Sequence, residues 1–143
     1  MVIPRFVQAA LEGSPITVYG DGNQSRSFTY VGDAVWAITH LMDCPEATGE
    51  LFNIGNGEEV GIYELAERVK TLTKSDSEIL LVPYETVYGQ DFEDMEFRTP
   101  CIDKLTKYTG YHPTVNLDGI LERVISHLRA KTEDSPTPLK LHA

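Results

Sequence analysis

Two arginines in this 143-residue chain could serve an anion, Arg26 after a glycine-rich run and Arg98 at the end of a long loop. Arg26 follows Gly20-Asp21-Gly22-Asn23-Gln24-Ser25. Glycines let a ligand approach the backbone closely, Gln24 supplies an amide, and the guanidinium is a planar fork that meets phosphate oxygens two at a time. The same spacing also describes a hairpin-like turn ending in an exposed arginine, and on spacing alone both readings stand. Arg98 closes the polar and aromatic stretch from Tyr84 to Thr99, just before Pro100. Taken by itself it reads as a surface arginine among Glu93, Asp94 and Glu96, where ion pairs contribute little.

A third group of residues imitates a dinucleotide cradle. Gly55, Gly57 and Gly61 lie between an expected strand at 50–54 and a helical pattern, with Glu85 further on. In such a unit glycines admit a pyrophosphate to a helix N-terminus and an acid holds the ribose. Here Glu58 and Glu59 occupy the loop that would face the pyrophosphate, and two carboxylates would repel it. His40 sits in an apolar helical segment and reads as a core or rim histidine. His112, His127 and His142 have no partner at a useful spacing. The run Asp91-Phe92-Glu93-Asp94 is a solvated loop rather than a metal cage, and no EF-hand spacing occurs. Neither these residues nor Cys44 and Cys101 form a recognisable catalytic set, so no catalytic or metal-binding residue is assigned.

Composition narrows the partners. The formal charge is -10, from 12 Lys plus Arg against 22 Asp plus Glu, which opposes binding to DNA or to an anionic membrane. A small phosphate compound would have to be held by a few placed cations. The two cysteines are far apart and lack a CxxC, which argues against zinc and against a disulfide framework. With no signal-peptide core and no apolar run of the roughly 18 to 20 residues that a membrane span needs, a cytoplasmic protein is expected.

The elements that must hold these residues are legible in outline. Ile3, Phe6, Val7 and Ala10 share one helical face, closed by Gly13. Ile16 to Tyr19 is a β-branched and aromatic strand, the run 20–23 a turn, and Phe28 to Val31 a second strand. Asp33 would cap a helix from Ala34 to Met42, so apolar that burial on more than one side is expected. Further on come a strand at Glu50–Ile54, a helix from Ile62 to Leu72 and a strand at Glu78–Val82. A long loop follows, then a short helix at Asp103–Thr109 and an amphipathic helix from Leu117 to Leu128. The mixture predicts a mixed α/β or α+β domain over residues 1–130 and a disordered tail over 131–143.

Several blocks taken together resemble one family. They are Val2-Ile3-Pro4-Arg5-Phe6, Ile16 to Phe28 running into Tyr30-Val31-Gly32-Asp33, Phe52-Asn53-Ile54-Gly55-Asn56, and Arg98-Thr99-Pro100. In that order they resemble the extended short-chain dehydrogenases/reductases, in particular UDP-glucose 4-epimerases, UDP-glucuronate decarboxylases and sugar dehydratases. The resemblance implies an NAD-binding doubly wound domain followed by a smaller carboxyl-terminal lobe that grips the nucleotide diphosphate of the sugar. This chain resembles that lobe with one late helix and strand, about Asp33 to Ile54, and without the amino-terminal Rossmann core.

By the same resemblance Arg26 and Arg98 hold the pyrophosphate of a UDP-sugar, while Thr17, Tyr19 and Gln24 lie around the nucleoside. The family's Tyr-x-x-x-Lys pair has no counterpart here, since no tyrosine is followed four positions later by lysine. Neither is there an initial Gly-x-x-Gly-x-x-Gly loop, so the expectation is substrate grip without redox activity and without NAD binding by this chain alone. A complete, non-enzymatic nucleotide-binding or interaction module remains the alternative. Gly32, Gly61 and Cys101 depart from the family's usual residues. The helix Ala34 to Met42, lacking the cover the family gives it, is expected to leave an apolar face open to association.

Overall fold

The computed structural model describes residues 1–88, 95 and 97–133. The first helix, α1 (Val2–Glu12), buries Ile3, Phe6, Val7 and Ala10 and stops at Gly13, whose φ of 69° is the left-handed conformation that lacks a Cβ penalty in glycine. Strand β1 (Ile16–Tyr19) turns Ile16 and Val18 inward and leaves Thr17 and Tyr19 half-buried on the opposite face. It pairs in parallel with β4 (Ile79–Val82), Ile16 opposite Ile79 and Tyr19 opposite Val82. Helix α3 (Ile62–Thr73) buries Leu65, Ala66 and Val69 against the same core, and α6 (Leu117–Glu133) adds Leu117, Ile120, Leu121 and Ile125. At the start of α6 the Asn116 side chain accepts from Gly119 N at 3.0 Å, a capping bond for an otherwise unpaired donor.

A second, antiparallel ribbon joins β2 (Ser25–Ser27) to β3 (Glu59–Gly61), with Arg26 opposite Val60. Beside it lies a smaller core of Ala37, Leu105 and Tyr111, shared by α2 (Val31–Met42) and α5 (Asp103–Thr109), with Phe52 and Ile54 packed against it. A short helix, α4 (Tyr84–Tyr88), opens the stretch expected to be loop. The architecture is mixed α/β, as the order of patterns predicts.

Four expectations are corrected. The strand after the glycine turn is Ser25–Ser27 rather than Phe28–Val31, because the partner that completes it is β3. Residues 50–54 form no strand, since no described segment offers them a ladder partner. Asp33 does not cap α2, which begins two residues earlier with Tyr30 at the cap. Its carboxylate is instead buried, accepting from Thr114 N at 3.0 Å, from Val115 N at 3.4 Å and from the Thr114 hydroxyl. Finally, α2 is not buried on several sides. Only Asp33 and Ala37 are buried, while Val31, Val35, Ile38 and Met42 are 69%, 55%, 49% and 80% exposed.

Helix α6 also continues through Glu133, three residues into the expected tail, and 134–143 lie outside the described residues, as does the acidic run 91–94. No helix among the described residues is long and apolar enough to cross a membrane.

Candidate functional site

The glycine-rich turn after β1 is built by local chemistry and then locked by a helix. Gly20 and Gly22 have φ of 72° and 79°. Asp21 closes the turn by accepting from Asn23 N at 2.9 Å and from Asn23 Nδ2 at 2.8 Å, and the backbone bond above all holds its carboxyl below the usual range. Gly22 O and Gln24 O accept the first amides of α3, Tyr63 N and Ile62 N, both at 3.0 Å. A Cβ on Gly22 would sit 2.8 Å from that of Tyr63, so the close approach requires glycine.

Gln24 spans the turn. Its Nε2 donates to Tyr19 O at 2.8 Å and to the Tyr84 hydroxyl at 2.9 Å, while its Oε1 is buried with no hydrogen-bond partner among the described residues. The Tyr84 ring lies over Gly20, within 2.4 Å of where a Cβ would stand. Sequence reasoning missed Tyr84. Its contact with Gln24 crosses 60 positions and carries no local signal beyond an aromatic residue after Pro83.

Arg26 and Arg98 belong to segments tied to one ribbon. Arg26 Nη1 donates to Ser25 O and to Met95 O, both at 2.7 Å. Three residues beyond Met95, Arg98 has an exposed side chain. The next residue, Thr99, donates through its hydroxyl to the Glu59 carboxylate, which also accepts from Ser25 Oγ at 3.2 Å. Pro100 rests on Gly55, where a Cβ would meet its Cγ at 2.4 Å, and Asn53 Nδ2 donates to Cys101 O at 3.2 Å. Glu59 thus serves as a bracket between β2 and the 99–101 segment, a role its sequence neighbourhood does not suggest. The residues proposed as acidic partners of Arg98 at 93, 94 and 96 lie outside the described residues.

Thr17 and Tyr19 share the outward face of β1, and Arg5 reaches them from α1. Arg5 Nη2 donates to Thr17 O at 3.1 Å, and its guanidinium carbon lies 4.4 Å from the centroid of the Tyr19 ring. Arg5 is a second residue that the sequence reading passed over.

The dinucleotide-like outline does not survive folding. No strand precedes Gly55, a three-residue strand intervenes before the helix, and the amides at the start of α3 are taken by the turn carbonyls rather than offered to a phosphate. The described residues therefore do not fit a dinucleotide at that loop. His40 stacks on Trp36 at 3.6 Å between centroids and shares a 2.8 Å bond with Trp36 O, on the exposed side of α2 rather than in a core. Among the described residues no group of His, Cys, Asp and Glu is arranged to hold a metal ion.

Residues 1–55 match the model of the NAD dependent epimerase/dehydratase family. A UDP-N-acetyl-alpha-D-glucosaminuronate decarboxylase of Bacillus cytotoxicus is 44% identical over 133 residues, which is 93% of this chain and 41% of the relative. The solved UDP-glucose 4-epimerase of Thermotoga maritima, with UDP-glucose, superposes with a TM-score of 0.82 at 26% identity over 92% of this chain and 40% of that one. The UDP-glucuronic acid 4-epimerase of Bacillus cereus, in complex with NAD, gives 0.73 at 25% identity over 90% and 40%. The chain thus spans about two fifths of the length of these relatives. Sequence blocks, fold and relatives agree in the family they resemble, the NAD-dependent epimerase/dehydratases among the extended short-chain dehydrogenases/reductases.

Proposed function

We propose that this chain is the carboxyl-terminal, nucleotide-sugar-binding lobe of an NAD-dependent epimerase, dehydratase or decarboxylase. In this reading the lobe comprises residues 1–130, Arg26 and Arg98 hold the diphosphate, and Thr17, Tyr19 and Gln24 surround the nucleoside of a UDP-sugar. The observation that carries it is the tether between the two arginine-bearing segments: Arg26 bonds Met95 O, and Thr99 bonds the Glu59 carboxylate. In a chain of net charge -10, a diphosphate needs a few placed cations, and this tether supports the reading that both arginines serve one ligand.

Hydride and proton transfer belong, in the same reading, to a cofactor-binding part carrying the glycine loop and the Tyr-x-x-x-Lys pair, in the cytoplasm. Separate calorimetric titrations with UDP and with NAD test it. Saturable UDP binding is expected, weakened about tenfold or more by Arg26→Ala and by Arg98→Ala, the scale of a lost charge-assisted bond pair. Tight NAD binding without a response to UDP, or UDP binding indifferent to both substitutions, overturns it.

A further inference from the structure

We infer that Arg5 is a positioning residue of the nucleotide site, holding Thr17 and Tyr19 through a single guanidinium. The inference rests on the reading above, in which those two residues flank the nucleoside. Arg5 stands apart from the buried face of α1, which is made by Ile3, Phe6, Val7 and Ala10. From there it bonds Thr17 O at 3.1 Å and lies over the Tyr19 ring at 4.4 Å, with the Phe6 ring at 5.5 Å behind it. Because side chains alternate along a strand, Thr17 and Tyr19 share the face of β1 that the core does not take, and one cation engages both residues.

Two physical consequences follow. A cation on a ring face is held by the ring quadrupole, which restrains Tyr19 before any ligand arrives and lowers the ordering cost of binding. Tyr19 is held from a second direction, since its carbonyl accepts from Gln24 Nε2 at 2.8 Å. The guanidinium also places positive charge beside the expected nucleotide in an acidic chain. A residue that merely staples α1 to β1 would show the same contacts, so the test must separate affinity from stability.

Arg5→Met keeps the apolar stem and removes the charge, whereas Arg5→Lys keeps the charge. UDP affinity and thermal unfolding are measured for both variants, and the methionine substitution is repeated in a Tyr19→Leu background. We expect Arg5→Met to bind UDP about three- to tenfold more weakly, the scale of one cation–π contact, and Arg5→Lys to stay within about twofold of the parent. The loss should shrink or vanish in the Tyr19→Leu background, as coupled residues require. Unchanged affinity in Arg5→Met while the parent binds UDP overturns this assignment alone. So does a loss that tracks the melting temperature, fails to recover with lysine and persists without the Tyr19 ring. Absence of UDP binding by the parent chain overturns the nucleotide reading and this assignment with it.

Discussion

Tyr111 is 1% exposed, and its hydroxyl donates to Gly55 O at 2.9 Å, the same glycine on which Pro100 rests. One phenol thereby connects the second core to the segment that leads out of Arg98. Burial first, and the Asp33 carboxylate second, push its pKa above the ordinary phenol value of 10.0. A folded pKa above the unfolded one gives stability that is complete below about pH 10 and is lost as pH rises through the folded value. Tyr111→Phe is expected to cost about 1 kcal/mol near neutrality and to flatten the alkaline fall in stability. Urea unfolding at a series of pH values checks this, and parallel curves for the two proteins would count against it.

At the scale of elements, Asp33 decides how α2 is held. The local pattern reads as a helix cap, yet the carboxylate reaches across the fold to the 114–115 backbone, 81 and 82 positions away. It fastens α2 to the segment between α5 and α6, which α2 touches otherwise through Ala37 and its neighbours in the small core. Replacing it with alanine strands two part-buried amides, so Asp33→Ala should lose about 2–3 kcal/mol, and Asp33→Asn, which keeps one acceptor, should lose less. Equal and small losses in denaturant titrations would show that the bonds contribute little. The ribbon of β2 and β3 is the other deciding element. Its register sets Arg26 opposite Val60 and leaves Glu59 to bracket the 99–101 segment.

For the molecule as a whole, the exposed side of α2 is the unusual surface. Val31, Val35, Ile38 and Met42 stand more exposed than covered or nearly so, and Leu51 is 90% exposed. Contiguous apolar exposure drives association, so the isolated chain should self-associate with rising concentration, and the pair Val35→Lys and Ile38→Lys should suppress it. Sedimentation velocity over a concentration series decides the point, and a monodisperse parent would refute it. Helical periodicity located α1, α3 and α6 from sequence alone, because each has one apolar stripe, and glycine stops closed α1 at Gly13 and α5 at Gly110. The glycine turn itself was equally legible, since the bonds that close it, between Asp21 and Asn23, lie within a few residues. Pairing was not: the strand expected at 50–54 lacks a ladder partner, and β3, too short for a pattern, exists because β2 lies beside it. Tertiary structure likewise decided that Tyr84 covers Gly20, that Arg5 lies on Tyr19 and that Thr99, the residue after Arg98, bonds Glu59 of the ribbon. Those contacts join residues far apart in the chain, and only packing selects them.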